Sequence, residues 1–270
     1  MIEKVIHYCW FGYGEKPELF NKCIESWRKF CPDYKIVEWD ESNFDVHQNT
    51  YISQAYDNKE YAFVADFARL WIVYNYGGIY LDTDVELVKP LDDLLGHKAF
   101  FGTDYPGGIA TGLGFGSEPN NPIIAEMMKV YDSLLFVNAK GSFNYKPCSK
   151  YQTKALKKYG LVKKDVIQNI DNGNIVYPVE YFCPKEFYEE EARLTPNTYA
   201  NHHYSLSWMP EDSRKALDLS MKYRKYMPLY IAHSLAYMVV FYKQYGFKQG
   251  SLKVIKTAKR VFSSDRSWRI

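Results

Sequence analysis

Apolar and polar positions along the chain change period several times, and each change predicts an element. Residues 4–11, KVIHYCWF, form a nearly continuous apolar run closed by Gly12 and Gly14, which predicts a buried strand. Residues 17–30 then space Phe20, Cys23, Ile24, Trp27 and Phe30 at helical intervals, and residues 34–39, YKIVEW, return to a short strand. Strand, helix, strand in that order predicts a βαβ unit and an α/β fold. Residues 59–78 read as a strongly apolar helix ended by Gly77 and Gly78, and residues 79–82, IYLD, as a buried strand. Further strands are expected at 99–104, 113–117 and 174–182, and a helix at 121–135. Residues 138–172 are polar and give no clear period, and the chain after Trp208 is helical in pattern.

Composition narrows the class. With 270 residues and 47% hydrophobic residues, the chain can bury a substantial core. Its 25 tyrosines suit sugar or base contacts, although tyrosine also packs ordinary cores. The formal net charge of +2 is unevenly spread: residues 220–270 carry +10, which leaves −8 on the first 219. Two domains are expected, a catalytic one at 1–210 and a basic, mainly helical extension at 211–270. Five scattered cysteines without a C-x-x-C pair signal neither a disulfide framework nor a zinc knuckle, and fit a reducing compartment. The first residues lack a signal-peptide layout, and the apolar run at 229–242 is short for a membrane span, so a cytoplasmic location is expected.

The chemistry concentrates in GGIYLDTDVE, residues 77–86. On a strand, Asp82 and Asp84 would leave on one side with Cβ atoms about 6–7 Å apart, close enough for both carboxylates to approach one hard cation. Mn²⁺ or Mg²⁺ held there would add phosphate oxygens from a substrate. Just upstream, Asp66 and Arg69 share a helix face and interrupt an otherwise apolar helix. They are either a self-satisfied ion pair or a carboxylate and guanidinium that hold sugar hydroxyls or phosphate.

The stretches VIHYCWFG, YAFVADFARLWIVYNYGGIYLDTDVE and, more loosely, HHYSLSW resemble glycosyltransferase family 32, D-x-D sugar transferases related to the catalytic domains of the large clostridial glucosylating toxins. The resemblance is strongest to bacterial capsular or exopolysaccharide members. It implies a GT-A fold, Rossmann-like and nucleotide-sugar-binding, and a metal-dependent, retaining transfer from a nucleotide sugar, UDP-linked in the first instance. It also implies that Trp10 stacks on the donor base and that Tyr80 lies at the nucleotide. Asp66 and Arg69 would contact the donor sugar. Asp82 would hold ribose and the transferred sugar, and Asp84 would bind the metal. A divalent ion between Asp84 and the diphosphate would stabilise the charge that grows on the leaving group.

Residues 198–208 add His202 and His203 as further metal ligands, of which a strand could aim only one at the site, and Ser207 and Trp208 as donors to the diphosphate. The loops at 103–112 and 138–147 border an acceptor site, and Asp104 is a sugar contact. The expected partners are a nucleotide-sugar donor and a glycan acceptor, lipid-linked in one version. The basic tail would lie on the inner face of the membrane, and no nucleic-acid module accompanies the charge. Two other readings compete. One is a catalytically silent nucleotide-sugar-binding subunit of a polysaccharide assembly complex. The other is a metal-dependent phosphohydrolase, against which Glu86 and some eighty preceding residues speak.

Overall fold

A computed structural model describes residues 1–104, 107–171, 173–185, 191–206, 209 and 211–262, with side chains to 255. Two compact units emerge, Met1–Ser205 and Leu206–Ile270.

The first unit opens with the expected βαβ. β1 (Val5–Cys9) and β2 (Lys35–Trp39) pair in parallel, and α1 (Glu18–Phe30) connects them. α1 starts after Pro17, where a missing N–H does no harm. It buries Phe20, Cys23, Ile24 and Trp27, the face its spacing predicts. The Trp27 indole donates to the Val85 carbonyl at 2.7 Å, which ties α1 to the segment after the D-x-D.

α2 (Thr50–Asp57), absent from the sequence reading, is capped by the Asn49 side chain, which accepts from the Ile52 amide at 3.1 Å. α3 (Tyr61–Tyr76) is buried on most sides and stops at Gly77, whose φ of 68° lies in the left-handed region. β3 (Gly78–Tyr80) pairs in parallel with β1. β4 (Val85–Leu87), β5 (Ala99–Asp104), β6 (Gly108–Ile109) and β7 (Phe115–Ser117) follow. Next come α4 (Pro122–Lys129) and α5 (Cys148–Leu156). β8 (Gln168–Ile170), β9 (Asn174–Tyr177), the short α6 (Val179–Phe182) and β10 (Ala200–His202) complete the unit.

The main sheet runs β2-β1-β3-β7-β5-β9-β8, with β6 on β5. Neighbours β2-β1-β3 and β5-β9 are parallel, and the rest are antiparallel. Ile6, Ile79, Phe100, Phe115 and Val176 are wholly buried, as a sheet covered on both faces requires. β4 and β10 form a separate antiparallel pair. The α/β class expected from the sequence is therefore met. Two expected elements are corrected. The strand at 174–182 ends at Tyr177, because Pro178 cannot donate to a ladder and α6 begins behind it. The helix at 121–135 stops at Lys129 and tightens to a 3₁₀ turn over Val130–Ser133.

One buried histidine fixes the turn that introduces the D-x-D. The Trp39 indole donates to His7 Nδ1 at 3.0 Å, so His7 Nε2 carries the proton and donates to the Gly77 carbonyl at 3.1 Å. A Cβ on Gly78, at φ 83°, would fall 2.9 Å from the Val5 carbonyl oxygen and 3.0 Å from His7 Nε2, so the close approach admits only glycine.

The second unit holds α7 (Glu211–Arg224) and α8 (Leu229–Phe262). Gly246, at φ 71°, interrupts α8. Asp212 joins the two helices, accepting from the Tyr245 hydroxyl at 2.8 Å and from Lys253 Nζ at 2.9 Å. No described helix is long and apolar enough to cross a membrane.

Burial lowers the His7 pKa to about 4. The unfolded imidazole binds its proton near 6.5. Between those values the unfolded state holds the extra proton, so His7 makes stability fall as pH drops from about 6.5 to 4. NMR of the imidazole should show a neutral Nε2–H tautomer persisting to about pH 5. A midpoint near 6.5 would mean that the Trp39–His7–Gly77 chain is not formed.

Candidate active site

α3 carries Asp66 and Arg69 one turn apart into the interior. Arg69 Nη2 lies 2.9 Å from Asp66 Oδ1 and 3.4 Å from Asp82 Oδ1, and its Nε donates to the Ala65 carbonyl at 3.1 Å. The guanidinium sits 5.3 Å above the Tyr80 ring. One buried cation therefore holds two carboxylates, one from its own helix and one from the D-x-D. Burial pushes the Asp66 carboxyl up to about 6, against the pull of Arg69 and of the Cys148 thiol.

The D-x-D itself departs from expectation. β3 ends at Tyr80, and Asp82 and Asp84 occupy the turn that leads to β4 rather than a strand end. The Leu81 amide makes the last parallel rung to the His7 carbonyl at 3.1 Å, and beyond it the Asp82 amide turns to the Gly112 carbonyl at 3.0 Å. Strand alternation no longer governs the two side chains, and they acquire different partners. Asp82 faces Arg69. Asp84 Oδ1 lies 3.2 Å from His202 Nε2, and its Oδ2 accepts from the Ser205 amide at 2.8 Å.

The β4–β10 pair creates that second contact. His202 stands opposite Val85 in the ladder, and the His203 amide donates to the Asp84 carbonyl at 2.9 Å. Successive side chains alternate, so His203 turns away and binds Glu86 Oε2 at 2.8 Å, where Lys22 also binds. The expected metal role of His203 is thereby corrected: His202 is the histidine at Asp84. Burial favours neutral forms for both partners. His202 and the Ser205 amide nevertheless hold Asp84 well below the usual carboxylate range. Asp84 and the Cys183 sulfur push His202 up to about 10. Behind the ring, the Cys183 thiol lies 2.7 Å from the Tyr204 hydroxyl, and among the described residues buried His202 Nδ1 has no hydrogen-bond partner. Tyr204 and Leu206, at φ 55° and 52°, bend the backbone around this corner.

Among the described residues, no three His, Cys, Asp or Glu side chains form a metal-holding group. Asp84 Oδ1 and His202 Nε2 form a two-point site, one hard oxygen and one imidazole. The carboxylate suits Mn²⁺ or Mg²⁺ and the imidazole favours Mn²⁺, so the set fits Mn²⁺ best when phosphate oxygens complete the shell. His202 would have to be neutral to ligate such a cation.

The other expected residues fall as follows. Asp82, with 28% of its side chain exposed, is the most open of the four charged residues at the centre. Trp10 is half-buried, packed 5.3 Å from the Phe20 ring, with its indole donating to the Gly14 carbonyl at 2.8 Å. Tyr80 is 1% exposed beneath Arg69 and has no surface for a nucleotide, so it supports the guanidinium instead. Ser207 and Trp208 lie outside the described residues. Burial pushes Asp104 up to about 6, with the Gly108 amide, Lys150 and His202 drawing it back, so it stands in the same electrostatic field as Asp84. Gly112, Cys148, Cys183 and Ser205 were not foreseen. Only Gly112 had a signal, as a glycine in the expected acceptor loop.

A family model described as "glycosyltransferase sugar-binding region containing DXD motif" matches residues 17–101. The chain is 34% identical over 132 residues to inositol phosphoceramide mannosyltransferase 3 of Schizosaccharomyces pombe, covering 47% of this chain and 36% of that one. It is 35% identical over 147 residues to an uncharacterized glycosyltransferase, L373, of Acanthamoeba polyphaga mimivirus, covering 48% and 55%. Among solved structures, PaToxG glycosyltransferase aligns with a TM-score of 0.46 and 22% identity, over 58% of this chain and 69% of that one. The chain thus spans between about a third and about a half of the length of these curated relatives. Residues 17–101 are thus similar to the D-x-D sugar-binding region of glycosyltransferases, and these relatives are fungal and viral rather than bacterial capsular enzymes.

A Cβ on Gly112 would lie 2.1 Å from Asp82 Oδ2 and 2.8 Å from Arg69 Nη1. Gly112→Ala should separate Asp82 from Arg69 while leaving secondary structure intact. Circular dichroism should match wild type, and any sugar-nucleotide turnover should fall at least tenfold. Wild-type turnover would show that the Arg69–Asp82 contact is dispensable.

Proposed function

We propose that this chain is a metal-dependent glycosyltransferase that moves a sugar from a nucleoside-diphosphate sugar to a glycan acceptor. One observation carries the reading: the two carboxylates of a single D-x-D turn are bound by different partners, Asp82 by a buried arginine and Asp84 by a buried histidine. That division suits a donor with two unlike ends, a polar sugar and a charged diphosphate. A phosphohydrolase would need both carboxylates at one phosphorus, and here Asp82 is turned to Arg69.

In this reading Asp66 and Asp82, each in contact with Arg69, accept hydrogen bonds from hydroxyls of the donor sugar, and Arg69 fixes their orientation. Asp84 and His202 would hold the divalent cation, which when bound neutralises the charge that develops on the departing diphosphate. Asp84 is pre-oriented by the Ser205 amide, so it need not reorganise as the bond breaks. Trp10 supplies a face for the donor base at the carboxyl end of β1. Retention of configuration belongs to the proposal through the resemblance to family 32. The names of the fungal relatives make mannose the first sugar to test, beside the UDP-sugars of the family resemblance, and put an inositol phosphoceramide beside the cell-surface glycan of that resemblance as acceptor classes to test.

The basic second unit extends the proposal to an anionic membrane surface on the cytoplasmic side. Leu252 and Ile255 on α8 are exposed about one turn apart, beside Lys248 and Lys253. The side chains of the basic tail are described only to residue 255. Removing residues 250–270 should abolish sedimentation with anionic vesicles and leave donor hydrolysis intact; unchanged sedimentation contradicts this part.

Nucleotide release from a panel of UDP- and GDP-sugars should require Mn²⁺ or Mg²⁺ and stop in EDTA. Asp84→Asn should lose about two orders of magnitude or more of turnover, on the scale of one removed electrostatic contact, while remaining folded. Full turnover in EDTA, or in Asp84→Asn, would contradict the metal assignment.

A further inference from the structure

A groove of about 370 Å³ runs between α4, its 3₁₀ extension and α5. Four lysines line it: Lys146 from the preceding loop, then Lys150, Lys154 and Lys158 at intervals of four along α5 and its 3₁₀ continuation. Lys158 is paired with Glu126 at 2.5 Å. Among the described residues, Lys146, Lys150 and Lys154 have no carboxylate at ion-pair distance. Like charges four apart on a helix repel, and on a convex surface water disperses them. Here a concave wall and a second segment gather them over an apolar floor of Val130, Leu134 and Ala155. Lys146 is held 4.8 Å over the Tyr151 ring, whose hydroxyl accepts from Asn144 Nδ2 at 3.0 Å, so the aromatic wall is fixed.

The same helix also buttresses the active-site loop. Gln152 Nε2 donates to Thr111 Oγ1 at 2.8 Å, and the Ile109 amide donates to Thr153 Oγ1 at 2.8 Å. The Cys148 thiol bonds to Asp66, and the charge of Lys150 reaches Asp104. Groove and candidate active site therefore share α5 as a common wall.

We propose that this groove binds a phosphate group carried by the acceptor. Lysine ammoniums are flexible point charges that converge on phosphate oxygens from several directions. The apolar floor and the Tyr151 ring fit the body of a sugar or the first carbons that carry the phosphate. The groove is too small for a nucleic-acid strand, and its four lysine ammoniums suit an anion rather than an acyl chain alone. Assigning the phosphate to the acceptor rests on the transferase reading above; its binding in the groove does not.

The test uses the full chain and ¹H–¹⁵N NMR. Titration with inorganic phosphate, and separately with glycerol 3-phosphate, should shift amides clustered in residues 146–158. Added salt should weaken both titrations. Lys146→Gln with Lys154→Gln, both exposed, should weaken the apparent affinity at least tenfold and leave acceptor-free nucleotide release at the wild-type rate. A second arm uses phosphatidylcholine vesicles with and without phosphatidylglycerol. Shifts from the soluble esters support a soluble phosphorylated acceptor, and shifts from anionic vesicles alone support a lipid-borne phosphate. Shifts scattered over lysines elsewhere, or an unchanged affinity in the double variant, would overturn the proposal and leave a solvated lysine face. A wild type that binds phosphate in the groove yet releases nucleotide from no donor would overturn the transferase reading and not the groove.

Discussion

A buried guanidinium sets the terms for the rest of the first unit. Arg69 is 5% exposed in the middle of an apolar helix, where a lone charge would not be tolerated. Asp66 supplies one compensating carboxylate from the same helix, and Asp82 supplies a second from the turn after β3. Removing one member of such a set commonly costs about 3–5 kcal/mol, because it strands the others. The requirement propagates outward. Asp82 must reach Arg69, so β3 must end at Tyr80, Gly112 must lack a side chain, and Gly78 must pass close against Val5 and His7. Tyr80 beneath the guanidinium and His7 on the Gly77 carbonyl hold that geometry from behind.

The second pole of the site has a separate support. Asp84 sits two residues beyond Asp82, but its partners come from β10, some 120 residues later in the chain. The short β4–β10 ladder is the device that joins them, and Trp27 anchors β4 from the α1 side through the Val85 carbonyl. The D-x-D turn thus belongs to two substructures at once, the α3 helix through Asp82 and the small sheet through Asp84. A donor that bridges sugar and diphosphate would bridge those substructures too.

Much of this was legible in the sequence where period and chemistry agreed. α1 announced its buried face through Phe20, Cys23, Ile24 and Trp27, and the Asp66–Arg69 spacing announced a shared helix face. The βαβ order foretold the parallel β1–β2 pair. The placement of the D-x-D was not legible, because IYLD reads as strand by pattern, while the ladder has its last rung at Leu81 to His7 and the Asp82 amide turns aside to the long-range partner Gly112. Period two implied that only one of His202 and His203 could face the metal. Which one depends on the register of β10 against β4, and no local signal encodes a register across more than 100 residues. α2 escaped notice because its eight residues are too few to display a period, although Asn49 was a readable cap.

The central claim is that the D-x-D is functionally divided, with Asp84 and His202 serving the cation and Arg69 serving the sugar through Asp66 and Asp82. Mn²⁺ affinity measured by electron paramagnetic resonance on Arg69→Lys, in the presence of a nucleoside diphosphate, tests it most directly. Lysine keeps the positive charge but cannot grip two carboxylates in a fixed fork. The division predicts an unchanged Mn²⁺ dissociation constant beside a turnover lowered by at least tenfold. A Mn²⁺ affinity that falls in step with turnover would show that the two carboxylates act as one site and would contradict the account.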